Sequence, residues 1–220
     1  MVAPRLLIFD CDGVLVDSEP MANRKLVEHA AAHGLQLELE ATLHEFNGAT
    51  LSHRVATLAA RHGWSPPADF VREVDDQIDA SVAEADAIPG VAAVLRQLAD
   101  AGVPMCLASN SRHREIEIRL AHLGFTHYFS RRFSGAEDVA HAKPAPNLYL
   151  HAAREMGVAP AECVVIEDSE NGIRAACAAG TRVFGFARFT PHERVVALGA
   201  TPFADMAELP VLLAGAGLAI

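Results

Sequence analysis

Positive charge is scarce in this chain: 18 lysines and arginines stand against 28 aspartates and glutamates, a net charge of −10 over 220 residues. No basic field exists to draw in nucleic acid or an anionic membrane, so neither is expected as a partner. Cysteine is scarce as well. The four present, Cys11, Cys106, Cys163 and Cys177, form no C-x-x-C pair and sit in or beside apolar runs, as reduced, buried thiols do. No apolar stretch approaches the roughly 18 residues that a membrane span needs, and Met1 to Arg5 is too short for the charged start of a secretory leader. A cytoplasmic protein is expected. Internal repeats, low-complexity tracts and heptad seams are missing too, and a monomer is the expected state. What is abundant is core material, since 51% of the residues are hydrophobic and 21% charged.

Three short apolar runs share one grammar. Leu6-Leu7-Ile8-Phe9 breaks into Asp10-Cys11-Asp12-Gly13; Val103-Pro104-Met105-Cys106-Leu107-Ala108 breaks into Ser109-Asn110-Ser111; Cys163-Val164-Val165-Ile166 breaks into Glu167-Asp168-Ser169. Unbroken runs of this length suit strands buried on both faces of a parallel sheet. Helical spacings separate them: Val91, Val94, Leu95 and Leu98 before Gly102, then Ile116, Leu120 and Leu123 before Gly124. A further helix is predicted from a Ser169 cap to about Gly180, then a strand at Arg182 to Phe186 and a last helix after Pro210. From Glu19 to Ile88 the texture changes to helical periodicity, with Leu26, Val27 and Ala30, then Leu51, Val55 and Leu58, and no comparable strand. Pro20 and Gly34 bracket its first helix, and Ser18 is the expected cap.

Ligands of open parallel sheets bind beyond the carboxyl ends of the strands, where these runs place Asp10 and Asp12, Ser109 and Asn110, and Glu167 and Asp168. One acid at a strand end is an ordinary turn. Three inner strands ending in carboxylates or small polar groups point to a functional cleft.

Asp10-Cys11-Asp12-Gly13-Val14 closely resembles the opening D-x-D-G-[TV] motif of the haloacid dehalogenase superfamily. The resemblance extends in order to Ser109-Asn110, to Lys143 in Lys143-Pro144-Ala145-Pro146, and to Glu167-Asp168-Ser169-Glu170-Asn171-Gly172. It is strong across the core and weak in the insert, and within the superfamily the chain is most similar to the sugar phosphatases and beta-phosphoglucomutases. It implies an α/β fold: a Rossmann-like parallel-sheet core of residues 1–17 and 88–220, with an α-helical cap inserted at 18–87. It also implies a small-molecule phosphate ester as substrate. Asp10 would attack phosphorus and carry the phosphoryl group as an aspartyl phosphate. Asp12 would be the general acid and base. Ser109 and the amide after it would bind phosphoryl oxygens, and Lys143 would neutralise them and hold Asp10. Mg2+ would sit on Asp10, the Asp12 carbonyl and Asp168, with Glu167 as a direct or water-mediated ligand. Side chains around Gly48, Ala49, Thr50 and Leu51 would meet the leaving group.

Plainer readings exist for several of these residues. A lone lysine before prolines is usually a solvated loop residue, and only its place in the motif series makes Lys143 catalytic. His29 and His33 stand four apart and could hold a metal, but no third ligand is evident and two exposed histidines are the commoner arrangement. Cys11, between two acids, is expected to be an inert filler of the turn. A non-catalytic module would have no use for Asp10, Asp12, Lys143 and Asp168 together, and a dehalogenase would not carry a carboxylate at Asp12. A phosphomutase keeps all four motifs. The family's mutases place a histidine and an arginine where Ala22 and Leu51 stand here, and leucine offers a second phosphate nothing. Hydrolysis of a small sugar phosphate or sugar acid phosphate, one like 6-phosphogluconate, is therefore preferred over isomerisation.

Overall fold

The computed structural model describes residues 3–46, 50–81, 85–188 and 190–219. Two compact units emerge, one of residues 1–16 and 86–220 and one of 17–85.

The larger unit is built on a six-stranded sheet in the order β5-β4-β1-β6-β7-β8, all of whose pairings are parallel. The strands are β1 (Leu6–Phe9), β4 (Met105–Ser109), β5 (Arg131–Ser134), β6 (Cys163–Glu167), β7 (Arg182–Phe186) and β8 (Thr201–Phe203). A separate two-stranded ribbon joins β2 (Val16–Asp17) and β3 (Asp86–Ala87). The central strands β1, β4 and β6 are buried at every position, which is why they read as unbroken apolar runs. Along β1 the faces alternate. Leu6 and Ile8 join a cluster with Leu148, Tyr149 and Ala152 of α7 (Asn147–Glu155) and Ile173 of α8 (Glu170–Ala178). Phe9 instead meets Phe129 edge-on, ring centroids 5.9 Å apart. From β1 the chain builds outward on one side through β4 and β5, then crosses back to β6 on the other. That reversal puts the topological switch point at the end of β1, where Asp10 begins.

The helices of this unit follow the predicted spacings. α5 (Val91–Asp100) buries Val91, Val94, Leu95 and Leu98, and α6 (His113–Leu123) buries Ile116 and Leu120. α9 (His192–Ala197) and α10 (Leu209–Gly215) complete it.

The smaller unit is helical: α1 (Ser18–Ala32), α2 (Leu39–Phe46), α3 (Leu51–His62) and α4 (Phe70–Ala80). Its own core gathers Leu26, Ala30, Phe46, Val55, Leu58, Phe70 and Val74. One expectation is corrected here. Ser18 does not cap α1; it is the first helical residue, Asp17 takes the cap position, and neither gives the helix a side-chain cap bond. The strand-like pairing of Asp17 runs straight into the helix, which leaves no room for a separate Ser cap. No helix among the described residues is long and apolar enough to cross a membrane.

Candidate active site

The site forms where β1, β4 and β6 end together. Asp10 follows Phe9, and its backbone N–H donates to Ile166 at 3.0 Å, so the first carboxylate is tied to the neighbouring strand. Gly13 makes the next turn possible. Its φ is +76°, and a Cβ there would stand 1.9 Å from Asp168 Oδ2, so any side chain would expel the second acid.

Lys143 is the bridge of the site. Its Nζ donates to Asp10 Oδ1 at 2.6 Å and to Glu167 Oε1 at 2.7 Å, and it lies 4.8 Å from the centre of the Tyr149 ring. Burial opposes its charge, but Asp10 and Glu167 outweigh that and raise its pKa well above the ordinary lysine range. The loop carrying it is fixed from β4. The Asn110 side chain accepts from the Lys143 N–H at 3.0 Å and donates to the Lys143 carbonyl at 3.2 Å, a reciprocal pair that sets the lysine's approach.

Glu167 is fully enclosed and fully engaged. One oxygen takes Lys143 and the Tyr149 hydroxyl, the latter at 3.1 Å. The other accepts from the N–H groups of Asp168 and Ser169, both at 2.9 Å, and from the Ser169 hydroxyl at 3.0 Å. It thereby occupies the N-terminus of α8, where free amides favour an anion. Ser169 caps the helix as predicted, accepting from Gly172 at 3.1 Å. Gly172 is needed for a steric reason: a Cβ would lie 1.6 Å from Glu167 Oε1.

Asp12 is held from the other side. Arg119 of α6, buried, places its Nη1 3.2 Å from Asp12 Oδ2, and the Ser111 hydroxyl donates to the same oxygen at 3.3 Å. Arg119 also donates to the Ser111 hydroxyl at 2.7 Å. Asp12 Oδ1 is buried and finds no hydrogen-bond partner among the described residues. Ser109, buried at the end of β4, accepts from the Ser111 N–H at 3.1 Å, which leaves its hydroxyl hydrogen to donate elsewhere. Cys11 is wholly buried, and burial, then the charge of Asp12, pushes its thiol pKa well up. All four cysteines are free.

Three carboxylates against one lysine leave excess negative charge. Burial, only partly offset by Lys143, raises the Asp10 pKa to about 7. Burial and then the charges of Glu167 and Asp10 raise that of Asp168 well above the usual range. Oxygens of Asp10, Glu167 and Asp168 lie within 4.8 Å of one another. Among the described residues no donor reaches the Asp168 carboxylate. A hard divalent cation fits this set, because it would supply the missing positive charge through oxygen ligands.

The sequence-predicted residues of the larger unit, Asp10, Asp12, Ser109, Asn110, Lys143, Glu167 and Asp168, thus come together. Of the four cap candidates, Gly48 and Ala49 lie outside the described residues. Thr50 caps α3, accepting from His53 at 3.3 Å, and Leu51 packs against the core of the helical unit. Sequence reasoning missed Arg119 and Tyr149. Arg119 carried a signal, since a charge interrupts the apolar stripe of α6 between Ile116 and Leu120. It also found no third ligand near His29 and His33. The structure brings the Glu73 carboxylate of α4 within 4.8 Å of them, a proximity that no spacing could reveal across 44 residues.

A carboxylate held by lysine thus stands at the switch point of a parallel α/β sheet, beside a cluster of acids. The sequence model of the haloacid dehalogenase-like hydrolases matches residues 4–180, and the chain belongs to that family. It is 31% identical over 211 residues to the 6-phosphogluconate phosphatase of Escherichia coli K12, covering 94% of this chain and 93% of that protein. The fructose-1-phosphate phosphatase of the same organism is 34% identical over 175 residues, 79% and 92% of the two chains. Among solved structures, a haloacid dehalogenase family hydrolase of Deinococcus radiodurans R1, determined with bound phosphate and sodium, superposes with a TM-score of 0.84. It is 33% identical and covers 99% of this chain and 98% of its own.

Proposed function

We propose that the chain is a magnesium-dependent phosphatase of a small sugar phosphate or sugar acid phosphate, working through a phosphoryl group carried on Asp10. The observation that carries this reading is the Asp10 carboxylate, with Oδ1 pinned by Lys143 at 2.6 Å and its other oxygen left to attack phosphorus. The hydrolysis is then split into two displacements, each easier than direct attack by water. Magnesium, when bound, supplies the positive charge that lets an anionic nucleophile meet an anionic ester. Asp10, the Asp12 carbonyl and Asp168 would hold it. Glu167, engaged by five donors, would act from the outer shell and keep Lys143 in place.

Asp12 is the general acid and base in this reading. Arg119 and Ser111 fix its Oδ2, so Oδ1, buried and unpartnered, is the oxygen that gives a proton to the departing alkoxide and takes one from the attacking water. Ser109 and the Asn110 amide would donate to the transferring oxygens, and Lys143 would neutralise them. The helical unit is read as the cap that selects the leaving group. The two Escherichia coli relatives, named for 6-phosphogluconate and fructose 1-phosphate, support a sugar phosphate as substrate.

The test is phosphate release from sugar phosphates, sugar acid phosphates, nucleotides and phosphoglycolate, with magnesium or with chelator. Release from a sugar phosphate or sugar acid phosphate in magnesium only is expected; equal rates in chelator would overturn the reading. Beta-glucose 1-phosphate with a trace of its bisphosphate gives the mutase its chance. Glucose 6-phosphate formed without matching phosphate release would replace hydrolysis by isomerisation.

A further inference from the structure

We propose that His29, His33 and Glu73 form a second metal site, for a divalent transition-metal ion of the zinc class, within the helical unit and separate from the carboxylate centre. His29 lies in the last turn of α1 and His33 caps its C-terminal end, and Glu73 reaches them from α4. Ligand atoms of the three fall within 4.8 Å of one another. Two imidazoles and a carboxylate make a borderline donor set that zinc-class ions take up, unlike the all-oxygen set at Asp10 and Asp168.

The hydrogen bonds around the cluster orient its ligands. His33 Nδ1 lies 2.9 Å from the carbonyl of His29, and a ring nitrogen facing a carbonyl must be its protonated one. In the neutral ring with that proton on Nδ1, Nε2 of His33 keeps its lone pair. On His29, Nε2 stands 3.1 Å from Glu73 Oε2 and Nδ1 stands 3.1 Å from the side-chain amide of Gln77. In the tautomer protonated at Nε2, Gln77 donates to Nδ1 and the Nε2–H donates to Glu73. Rotation of the Gln77 amide by half a turn presents its oxygen instead. Nδ1 then carries the proton, and Nε2 and Glu73 are both free to take a cation in place of the proton between them. Each histidine thus has an oxygen acceptor that can fix it in the ligating tautomer, the carbonyl of His29 for one and Gln77 for the other.

The surroundings stiffen the rings. Phe70 packs against both imidazoles, with centroids 4.8 Å and 5.6 Å away, and Trp64 stands edge-on to Phe70 at 4.9 Å. The Trp64 indole N–H donates to the His33 carbonyl at 3.0 Å, which anchors the helix end that carries the second ligand. The His29 side chain is 11% exposed and Glu73 37%, so the site has a sheltered floor and an open rim through which an ion enters. A helix pair that needed only a structural tie would be served by the His29–Glu73 bond alone; His33 adds a third ligand atom within 4.8 Å of the other two.

The test uses full-length protein stripped of metal, held in excess magnesium to occupy the carboxylate centre, and titrated with Co2+. One cobalt per chain is expected, with visible absorption of a nitrogen- and oxygen-ligated ion, displaced by Zn2+. His33→Gln and Glu73→Gln should each weaken binding by about tenfold or more, with the magnesium-dependent phosphate release unchanged. His33→Gln is the milder change, and its helical circular dichroism should match the parent. Cobalt binding that is absent in the parent, or equal in parent and variants, would overturn the proposal.

Discussion

At the scale of residues, the site is a problem in charge: Asp10, Glu167 and Asp168 share one lysine, and burial makes each further negative charge harder to hold. The folded chain keeps a proton on Asp10 up to about pH 7, whereas the unfolded chain releases it near the ordinary value of 3.8. Between those values the folded state binds more protons, so stability of the cation-free protein falls as pH rises through the window. Asp168, raised in the same direction, adds to that slope. Lys143, also raised, acts in the same direction but at higher pH: its contribution is full below the ordinary lysine pKa and is lost only as pH rises beyond it. Magnesium must displace these protons, so its increment to the melting temperature should be small near about pH 5 and large near about pH 8. An equal increment at both would contradict the charge account. Arg119 makes a different prediction. Arg119→Ala should lower kcat by about 10- to 100-fold while KM changes little, because Asp12 loses the group that aims it, and Arg119→Lys should recover part of the loss. A rise in KM with kcat intact would place Arg119 in substrate binding instead. The resemblance to the superfamily's motifs points to Asp10, Asp12, Lys143 and Asp168; Arg119, Tyr149 and Glu73 are brought in by packing and belong to no motif.

At the scale of elements, the junction of β6 with α8 is the most constrained point of the larger unit. Ser169 caps the helix and touches Glu167 at once, and Gly172 leaves the room in which Glu167 sits. Gly172→Ala should therefore push Glu167 off its amides and destabilise the protein by about 1–3 kcal/mol, read from denaturant midpoints. A neutral or stabilising effect, as expected of alanine in an ordinary helix, would show that Glu167 is not fixed there. The elements differ in how plainly the sequence announces them. β1, β4 and β6 are buried on both faces and read as unbroken apolar runs. β5 opens on Arg131 and Arg132 at the sheet edge, and β8 contains Pro202 at the other, so neither has a strand's usual pattern. α4 is similarly veiled, with Phe70 and Val74 buried amid acids.

At the scale of the whole molecule, the order of strands brings segments about 130 residues apart to one point. Lys143 and Asp10 are 133 positions apart in sequence and 2.6 Å apart in space. The larger unit carries the groups read as the chemistry of phosphorus, and the helical unit is read as the part that chooses among esters. The central claim is that Asp10 itself takes the phosphoryl group. Turnover of a sugar phosphate in magnesium, quenched in acid within the first catalytic cycles and followed by mass analysis of the peptide that holds Asp10, tests this most directly. The account predicts a peptide heavier by one phosphoryl group at Asp10, absent from Asp10→Asn, a variant that should fold normally and lose activity by about four orders of magnitude. Phosphate release at full rate by Asp10→Asn, or a phosphoryl group trapped on a residue other than Asp10, would contradict it.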